Sequence, residues 1–536
     1  MAATVRPGRR WGTAGSPWTS GVRLRTFHGF GEDIRGRTCV PPPRIRARPM
    51  PEPVPDHDMH PTGRPTLDPV AGIGRLDARV AWSAAFERHI VARESELVAR
   101  VQADIGKAPW ETVTQDVMPL VASLRWHRRH APAILSTRAI GGAPWWMLGQ
   151  RHRGVRLPVG DVLVIATWNY PLQLLGIQLA QSVIAGNRTT VKPSERAPAS
   201  QRLLVELAIE ALGDAGLDAS SIVLEDATRE AGRRLLETRR FDHVVFTGST
   251  AVGREIAAQC ARTLTPTTLE LSGRDSALVL ADADVALAAR SIWHAATMNA
   301  GQTCMAPRRA LVDRRALPGF EAAIRPLAES AGTVRLADAA MAARCAALAR
   351  AALAAGGRSV AAIEEARDGA WRPACILDCP RGAELAAGDH FGPVLAVIAA
   401  DGVADMLDAH RAAGQHLATA VFAADPGRWA SDAGFVAALG SNVVTFNDCI
   451  LPTAHPGTSI EGRGPSGWGP SRGAAGLLAL TREVTCSFTS TRLRTPLDEP
   501  SPSAQAWLRR LAFGGRRPAP AARPERTHRS REEQTS

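Results

Sequence analysis

The stretch Val162-Leu163-Val164-Ile165-Ala166 is a short, continuous apolar run rich in β-branched residues. A run of this length without polar alternation is expected for a strand that is buried on both faces. A helical pattern follows at residues 172–185, and a second strand pattern at residues 189–191. A buried strand followed by a helix and another strand is the unit of a parallel sheet, so this stretch predicts an α/β fold.

The same alternation continues downstream. Residues 199–212 have helical spacing, residues 221–224 and 243–246 are strand-like, and a further helix runs to about residue 262. A second α/β segment extends over residues 269–447. Repeated strand–helix units predict a doubly wound parallel sheet in the first segment and a second α/β domain after it.

The flanking segments have different patterns. Residues 67–130 have helical spacing, with Gly106 as a predicted helix end. Residues 136–157 predict a short strand pair, and residues 476–488 predict a closing helix and strand. We expect these two segments to form a small β extension beside the two α/β segments.

The basic character of the chain is confined to its two ends. Residues 1–66 contain eleven arginines and five acidic residues, and residues 501–536 contain eight arginines and three acidic residues. Of the net charge of +12, only +1 belongs to the residues between them. Neither end has sustained periodicity, so we expect both to be disordered. A nucleic-acid function would rest on these ends alone, and we predict none.

Lysine and cysteine usage is informative. Only two of the 64 basic residues are lysines, Lys107 and Lys192, which suggests roles that arginine does not fill, chance retention being the alternative. The eight cysteines form no CxxC pair, so the sequence predicts neither a zinc site nor a disulfide framework. This usage fits a reducing compartment, and we expect a cytoplasmic protein. No apolar run is long enough to cross a bilayer, and the short amphipathic piece at residues 507–513 is a weak basis for membrane binding.

A candidate nucleophile lies in the stretch Met298-Asn299-Ala300-Gly301-Gln302-Thr303-Cys304-Met305-Ala306-Pro307. Small neighbours let a substrate approach the sulfur, and the thiolate form of a cysteine is a strong nucleophile. The alternative for Cys304 is a buried structural cysteine, since free cysteines are among the most buried residues.

Two further residues complete a candidate catalytic set. Glu270 lies in an apolar segment, where an ionised carboxylate is costly to bury, which suits a general base. Asn169 follows the first buried strand, where open α/β sheets bind ligands, and its amide can donate to an oxyanion. The alternatives are a strand-end carboxylate paired with an arginine, and an Asn that serves as a turn or cap residue.

Candidate cofactor residues end two other strands. Lys192 and Glu195 follow the strand at residues 189–191, where the alternative is a solvated loop. Gly248 and Ser249 lead from the strand at residues 243–246 into a helix, whose N-terminal N–H groups can meet a pyrophosphate.

Together these motifs resemble those of the aldehyde dehydrogenase superfamily, in the same order and over about residues 70–490. The cysteine stretch resembles the family's catalytic motif. The sequence Trp168-Asn169-Tyr170-Pro171 resembles its oxyanion motif, and Glu270-Leu271-Ser272-Gly273-Arg274 resembles the pattern Glu-Leu-Gly-Gly-Lys. Asp389-His390-Phe391-Gly392-Pro393 resembles Glu-Ile-Phe-Gly-Pro. The Trp-Asn-Tyr-Pro and Ser-Gly-Trp-Gly variants lean toward the branch of coniferyl and fatty aldehyde dehydrogenases.

The resemblance implies a role for each matched residue. Cys304 would be the nucleophile and Glu270 the water-activating base, with Asn169 and the Cys304 backbone N–H as oxyanion donors. The predicted cofactor is NAD, with NADP as the alternative, because Glu195 would accept from ribose hydroxyls and repel a 2′-phosphate. The predicted cofactor-binding residues are Lys192, Glu195, Gly248, Ser249, Trp168, Phe391 and Asp389.

Two alternatives stay open: a catalytically degraded structural or binding protein, which the departures from the family pattern support, and a coenzyme A-acylating dehydrogenase. Retention of Glu270 argues against the second, because acylating members generally lack this glutamate. The departures are Thr167, Ser272, Arg274, Asp389 and Glu461.

The prediction is therefore an enzyme that oxidises a small-molecule aldehyde, as a homodimer or homotetramer that forms through the β extension. The predicted domains are a disordered extension (1–66), an NAD-binding domain (67–268, with 136–157 in the β extension), a catalytic domain (269–447), a return segment with the oligomerisation strand (448–497) and a disordered tail (498–536).

Overall fold

The computed structural model describes residues 73–144, 147, 149–489 and 499–513. The predicted extension at residues 1–66 lies outside them. The described strands are β1 (Arg138–Ile140), β2 (Gln150–Pro158), β3 (Asp161–Ile165), β4 (Arg188–Lys192), β5 (Ile222–Leu224), β6 (His243–Gly248), β7 (Thr267–Leu271), β8 (Ser276–Val279), β9 (Arg309–Asp313), β10 (Val334–Arg335), β11 (Arg358–Ser359), β12 (Ala370–Trp371), β13 (Ala374–Leu377), β14 (Val394–Ala400), β15 (Ala418–Phe422), β16 (Val443–Phe446), β17 (Gly467–Trp468) and β18 (Thr481–Thr489).

Helices connect most of these strands. The described α-helices are α1 (Leu76–Ala92), α2 (Glu94–Ile105), α3 (Pro109–Thr112), α4 (Met118–Ile134), α5 (Gln173–Ala185), α6 (Pro198–Asp214), α7 (Arg229–Thr238), α8 (Thr250–Ala261), α9 (Val285–Thr297), α10 (Leu317–Glu329), α11 (Ala339–Ala354), α12 (Val403–Arg411), α13 (Pro426–Ser431), α14 (Ala433–Leu439), α15 (Gly473–Ala479) and α16 (Pro502–Phe513).

The first sheet has the strand order β17-β7-β6-β3-β4-β5 among the described residues. The chain adds β4 and β5 on one side of β3 and then crosses to add β6 and β7 on the other, all parallel. The connections after β3 and β6 therefore leave in opposite directions and open a crevice at the carboxyl ends of the strands, where such sheets bind ligands. This order confirms the predicted doubly wound sheet.

The second sheet has the order β11-β13-β14-β9-β8-β15-β16, again within the described part of the chain. Its strands are parallel except for β11, which pairs antiparallel with β13 at one edge. The α/β pattern predicted after residue 269 is confirmed by this sheet.

A small antiparallel sheet joins segments that are far apart in the chain. Its order is β1-β2-β18, and β18 pairs with β2 from Thr481 opposite Pro158 to Thr489 opposite Gln150. The strand pair predicted at residues 136–157 and the closing helix and strand predicted at residues 476–488 are confirmed. The role of this sheet in oligomerisation and the domain boundaries stay predictions.

The helix α5 is buried on all sides. This helix packs against α1, α4 and α15 as well as against β3 and β4, and its thirteen residues are all buried. Complete burial of a Leu or Val side chain contributes about 1.5–3 kcal/mol, so α5 is a main source of stability for the first sheet. It also fixes the loop between β3 and α5, which carries Asn169.

The predicted disorder of the tail is wrong for residues 502–513, which form α16. Pro502 occupies the first turn, where its missing N–H is no loss, and the Ser501 Oγ accepts from the backbone N–H of Ala504. Ala, Gln, Leu and Arg are good helix formers, so the local sequence favours the helix without a repeated apolar pattern. Nowhere in the described ranges is a helix both long and apolar enough to span a bilayer.

Candidate active site

The loop before Cys304 has a strained backbone. Asn299 (φ 51°) and Ala300 (φ 53°) are left-handed, and so is Gly301 (φ 70°). A left-handed conformation costs a residue with a side chain roughly 1–2 kcal/mol. A Cβ added to Gly301 would lie 2.3 Å from the carbonyl carbon of Gly392, so no side chain fits there. Such strain persists only where the surroundings enforce it, and it is typical of functional loops.

Two charged side chains hold this loop from opposite sides. The Glu111 Oε1 accepts from the backbone N–H of Asn299 at 2.7 Å. Arg308, which is almost completely buried, donates from Nη1 to the Gly301 carbonyl (2.8 Å) and from Nη2 to the Thr303 carbonyl (2.7 Å). With its carbonyls bound in this way, the loop presents Cys304 in a fixed orientation.

The Cys304 side chain lines a cavity of about 730 Å³. Apolar side chains dominate its wall, among them Trp110, Leu174, Trp293 and Leu451, and Arg472 also lines it. Burial and, after it, the charge of Glu270 raise the pKa of the Cys304 thiol to about 12, although the charge of Arg472 acts to lower it. The candidate nucleophile and base are therefore close enough to influence each other electrostatically.

Asn169 lies in the loop after β3 and contacts the cysteine loop directly. The Asn169 Nδ2 donates to the backbone carbonyl of Gln302 (2.9 Å), and the backbone carbonyl of Asn169 accepts from the Asn299 Nδ2 (2.8 Å). The Thr167 hydroxyl donates to the Asn169 Oδ1 at 3.0 Å. Thr167, a departure from the family pattern, thus fixes the side of the amide that carries the N–H donors.

Glu270 is a buried carboxylate at the end of β7. Its Oε1 accepts from the Ser471 hydroxyl at 2.5 Å, and its Oε2 accepts from the Thr247 hydroxyl at 3.3 Å. Two hydroxyl donors compensate the carboxylate for part of the water that it loses on burial. The structure therefore brings Cys304, Glu270 and Asn169 together, and their catalytic roles stay predictions.

The predicted ribose-binding pair lies at the end of β4. The Lys192 Nζ is 3.4 Å from the Glu195 Oε2, and the Arg229 Nε donates to the Glu195 Oε1 at 2.8 Å. Partial burial acts to raise the pKa of Glu195, but Arg229 and Lys192 outweigh it and lower that pKa to about 2. An ionised acceptor beside an ammonium group fits the hydroxyls of a nucleotide ribose.

The predicted phosphate residues lie at the N-terminus of α8. The Ser249 Oγ accepts from the backbone N–H of Val252 at 3.4 Å and so caps the helix. A Cβ added to Gly248 would lie 2.5 Å from the Phe246 ring, which explains the glycine. The N–H groups of this first turn suit an anion, so the residues present fit a dinucleotide cofactor.

The last three predicted cofactor residues differ in their surroundings. The rings of Trp168 and Phe391 meet edge to face at 5.8 Å, consistent with a shared nicotinamide pocket. Asp389 instead is largely exposed and forms an ion pair with Arg274 at 3.1 Å. Two departures from the family pattern, Arg274 and Asp389, thus bind each other.

The other departures hold the loop that contains β17. The Glu461 Oε1 accepts from the Gly469 N–H at 3.2 Å, and the Ser272 carbonyl accepts from the Ser466 hydroxyl at 3.2 Å.

Among the residues that the structure describes, no group of three or more His, Cys, Asp or Glu side chains is placed to hold a metal ion.

Sequence reasoning missed a buried ion pair behind the site. The Lys107 Nζ lies 2.5 Å from the Asp116 Oδ2, and both side chains are fully buried. The Asp116 Oδ1 accepts from the backbone N–H groups of Leu172 and Gln173 at 3.1 Å, so it caps α5. Lys107 also lies 3.9 Å from the centre of the Tyr170 ring. The rarity of lysine was the one available signal for this pair.

Tyr170 connects that pair to the cysteine loop. Its hydroxyl bonds the Thr303 hydroxyl at 2.6 Å, next to Cys304. Ser471 and Arg472 were also missed, because their loop departs from the family pattern.

The model of the aldehyde dehydrogenase family matches residues 75–485. The chain therefore belongs to the aldehyde dehydrogenase family, whose members are NAD(P)-dependent enzymes, and the predicted family and cofactor are confirmed at this level.

Similar proteins with known names include three aldehyde-oxidising relatives. Aldehyde dehydrogenase family 3 member A2 of Rattus norvegicus is 32% identical over 43% of this chain and 46% of that protein. Coniferyl aldehyde dehydrogenase of Pseudomonas sp. (strain HR199 / DSM 7063) is 34% identical over 47% of this chain and 49% of that protein. The chain thus spans about half the length of these two relatives. The 4,4'-diapolycopene-4,4'-dial dehydrogenase of Cytobacillus firmus is 28% identical over 77% of this chain and 90% of that protein.

Solved structures share the fold. Substrate-bound Staphylococcus aureus AldH aligns with a TM-score of 0.73 at 23% identity, over 82% of this chain and 95% of that chain. A Mycobacterium tuberculosis aldehyde dehydrogenase complexed with NAD+ aligns with a TM-score of 0.70 at 24% identity, over 78% of this chain and 86% of that chain. These similarities confirm the α/β fold class.

Proposed function

We propose that this protein oxidises an aldehyde to the carboxylic acid with NAD(P), through a thiohemiacetal and a thioester on Cys304. The observation that carries the proposal is the shared site: Cys304 lines a cavity, the charge of Glu270 reaches its sulfur, and Asn169 bonds the same loop.

Each residue has a defined task. The Cys304 sulfur, already deprotonated to the thiolate, attacks the aldehyde carbon, and the Asn169 amide and the Cys304 backbone N–H stabilise the resulting oxyanion. One such donor contributes about 3–4 kcal/mol. When bound, NAD(P) would supply the hydride acceptor needed to convert this adduct to the thioester. Glu270, held by Ser471 and Thr247, then takes a proton from water, which attacks the thioester and releases the acid.

Lys192 and Glu195 would hold the adenosine ribose of the cofactor, and the α8 N-terminus its pyrophosphate. Trp168 and Phe391 would flank the nicotinamide. We do not assign the nicotinamide ribose to Asp389, because its carboxylate is paired with Arg274.

The substrate we propose is an aromatic aldehyde of the coniferyl type or a medium- or long-chain aliphatic aldehyde. The aromatic and aliphatic cavity wall supports an apolar substrate. Relatives named for coniferyl aldehyde and for a diapolycopene dial support the same class.

The decisive experiment follows NADH absorbance with NAD or NADP and a panel of aromatic and aliphatic aldehydes. We expect turnover with the wild type, none with Cys304→Ala, and an acyl-enzyme that accumulates with Glu270→Gln. Absence of turnover together with absence of cofactor binding by calorimetry would instead favour the degraded binding protein. Faster product formation on addition of coenzyme A would favour the acylating alternative.

We also propose that the protein is a homodimer or homotetramer formed through the sheet β1-β2-β18. The exposed Phe488 on β18 and Ile140 on β1 support an interface there. Light scattering during gel filtration tests it, and Phe488→Glu should shift the mass toward the monomer.

The free thiols of the seven cysteines described by the structure support the predicted cytoplasmic location.

A further inference from the structure

Arg472 is a buried cation in the substrate cavity. Only 7% of its surface is exposed, and it lines the same cavity as Cys304. Its Nη1 donates to the Thr453 carbonyl at 3.1 Å, and its Nη2 donates to the side-chain oxygen of Gln173 at 3.3 Å in the amide orientation that satisfies both groups. Both partners are neutral, so these bonds hold the guanidinium in place without neutralising its charge.

No carboxylate in the described part of the chain forms an ion pair with Arg472. A charge buried without a partner is expensive, and proteins usually pair or neutralise it. An unpaired guanidinium in a substrate cavity therefore suits a site where an anion forms during the reaction.

The backbone supports a functional placement. Arg472 has φ 65°, a left-handed conformation that disfavours a side chain of this size. The preceding residue, Ser471, bonds the Glu270 carboxylate. One strained dipeptide therefore supplies a donor to the proposed base and a positive charge to the cavity.

We propose that Arg472 is the counter-ion of the Cys304 thiolate, and so a residue of the reaction that the family motifs do not assign. The proposal rests on the proposed function of Cys304 as the nucleophile. Arg472 stabilises the anionic sulfur from a buried position, where a unit charge is screened less than at the exposed surface.

Other charged groups also influence this sulfur. Glu270 on β7 and Asp275 after it disfavour the anion, whereas Arg308, before β9, favours it. Arg308 already donates to the carbonyls of Gly301 and Thr303, which commits it to the loop. Of the charges that lower the pKa of Cys304, Arg472 has the largest effect, although burial and Glu270, which raise this pKa, have larger effects.

The test measures alkylation of Cys304, which needs neither cofactor nor turnover. Iodoacetamide is neutral; the sulfur displaces its iodide, and below the thiol pKa the rate is proportional to the thiolate fraction. The rate at Cys304 is followed by peptide mass between pH 7 and 9.5 in the wild type and in Arg472→Gln, Arg472→Lys and Arg472→Gly. The glycine variant removes the charge while suiting the left-handed backbone, so it guards against loss of the fold.

We expect Arg472→Gln and Arg472→Gly to slow alkylation about tenfold at every pH, equivalent to about one pKa unit. Arg472→Lys keeps the charge and should stay within about threefold of the wild type. Repeating the series with the anionic reagent iodoacetate separates charge from access, because loss of the cation should slow iodoacetate more than iodoacetamide.

The chain offers two matched controls. Arg290→Gln removes the same charge from an exposed residue of the cavity, where solvent screens it, and should change the rate less than about twofold. Cys449 lines the same cavity and is an internal reference for access, so its labelling should not follow that of Cys304.

Equal slowing of all three Arg472 variants with both reagents, or no slowing at all, would overturn the proposal. Failure of the proposed function is a separate result: Cys304→Ala would then retain turnover, or full alkylation of Cys304 would leave NADH formation intact. Normal aldehyde turnover with an alkylation rate indifferent to Arg472 would remove only the counter-ion role.

Discussion

At the scale of single residues, neighbours decide what each proposed group can do. Glu195 would discriminate against a 2′-phosphate on its own, but Arg229 donates to the same carboxylate at 2.8 Å. An arginine at this place accommodates a 2′-phosphate in NADP-binding sites. The pair therefore contains one group that favours NAD and one that suits NADP.

The first prediction concerns this pair. Glu195→Gln removes the repulsive charge and leaves Arg229 free, so kcat/KM with NADP should rise about tenfold relative to that with NAD. Steady-state rates with both cofactors and one aldehyde give the ratio. Arg229→Gln is the matched control and should move the ratio the other way. An unchanged ratio in both variants would place cofactor choice elsewhere.

A second prediction concerns Ser471. Ser471→Ala removes the shorter of the two hydroxyl hydrogen bonds to Glu270, so the carboxylate should be less well aligned and thioester hydrolysis slower, by about tenfold. Stopped-flow absorbance should then reveal a burst of NADH followed by a slow steady state. Thr247→Val, which removes the longer bond, should have the smaller effect. Loss of the burst itself would mean that Ser471 acts before the thioester forms.

At the scale of elements, the Lys107–Asp116 pair joins the N-terminal helices to the catalytic loops. Asp116 lies in the π-helical turn Val113–Val117 and caps α5, while Lys107 lies against Tyr170, whose hydroxyl bonds Thr303. Glu111 of α3 holds Asn299 in the cysteine loop. One short segment thus supports both the oxyanion loop and the nucleophile loop.

The third prediction follows from the burial of this pair. Lys107→Met leaves the Asp116 charge without a partner and should lower the free energy of unfolding by about 3–5 kcal/mol. The double variant Lys107→Met/Asp116→Asn should recover part of this loss, because no unpaired charge remains. Urea unfolding of the two single variants and the double variant gives the coupling. Strictly additive losses would show that the two side chains act independently.

These examples also mark the limit of prediction from sequence. Strands such as β3 and helices such as α5 were predicted because their apolar spacing is a local property. Cys304, Glu270 and Asn169 could be predicted as candidates because each has a distinctive neighbourhood in the sequence. The Lys107–Asp116 pair and Arg472 were not, since their roles depend on a π-helical turn and a left-handed residue that arise from tertiary packing.

At the scale of the whole molecule, buried histidines couple the fold to pH. His127 on α4, His243 on β6, His390 before β14 and His410 on α12 are all buried. Burial lowers the pKa to about 4 for His127 and His243, and to about 3 for His390 and His410. In the unfolded chain each would titrate near its ordinary value of about 6.5.

The sign of the effect follows from proton uptake. Between about pH 6.5 and pH 4 these histidines bind protons in the unfolded chain but not in the folded protein, so the free energy of unfolding falls as the pH falls. Above about pH 6.5 both states are neutral at these residues and the effect vanishes. One pKa unit corresponds to about 1.4 kcal/mol, so a histidine such as His243 contributes up to about 3 kcal/mol at pH 4.

The fourth prediction is therefore a loss of several kcal/mol in the free energy of unfolding between pH 7 and pH 5, measured with urea at each pH. In the wild type the His243 imidazole lies 2.9 Å from the Thr268 hydroxyl, and a glutamine side chain can still bond this hydroxyl. His243→Gln removes one group that binds a proton only in the unfolded chain, so the stability of the variant should depend less steeply on pH. His294→Gln, on an exposed residue, should leave the slope unchanged. His243→Gln lacks this histidine in both the folded and the unfolded chain, so it cannot take up that proton. If the variant and the wild type nevertheless lost stability in parallel, the acid sensitivity would come from other groups.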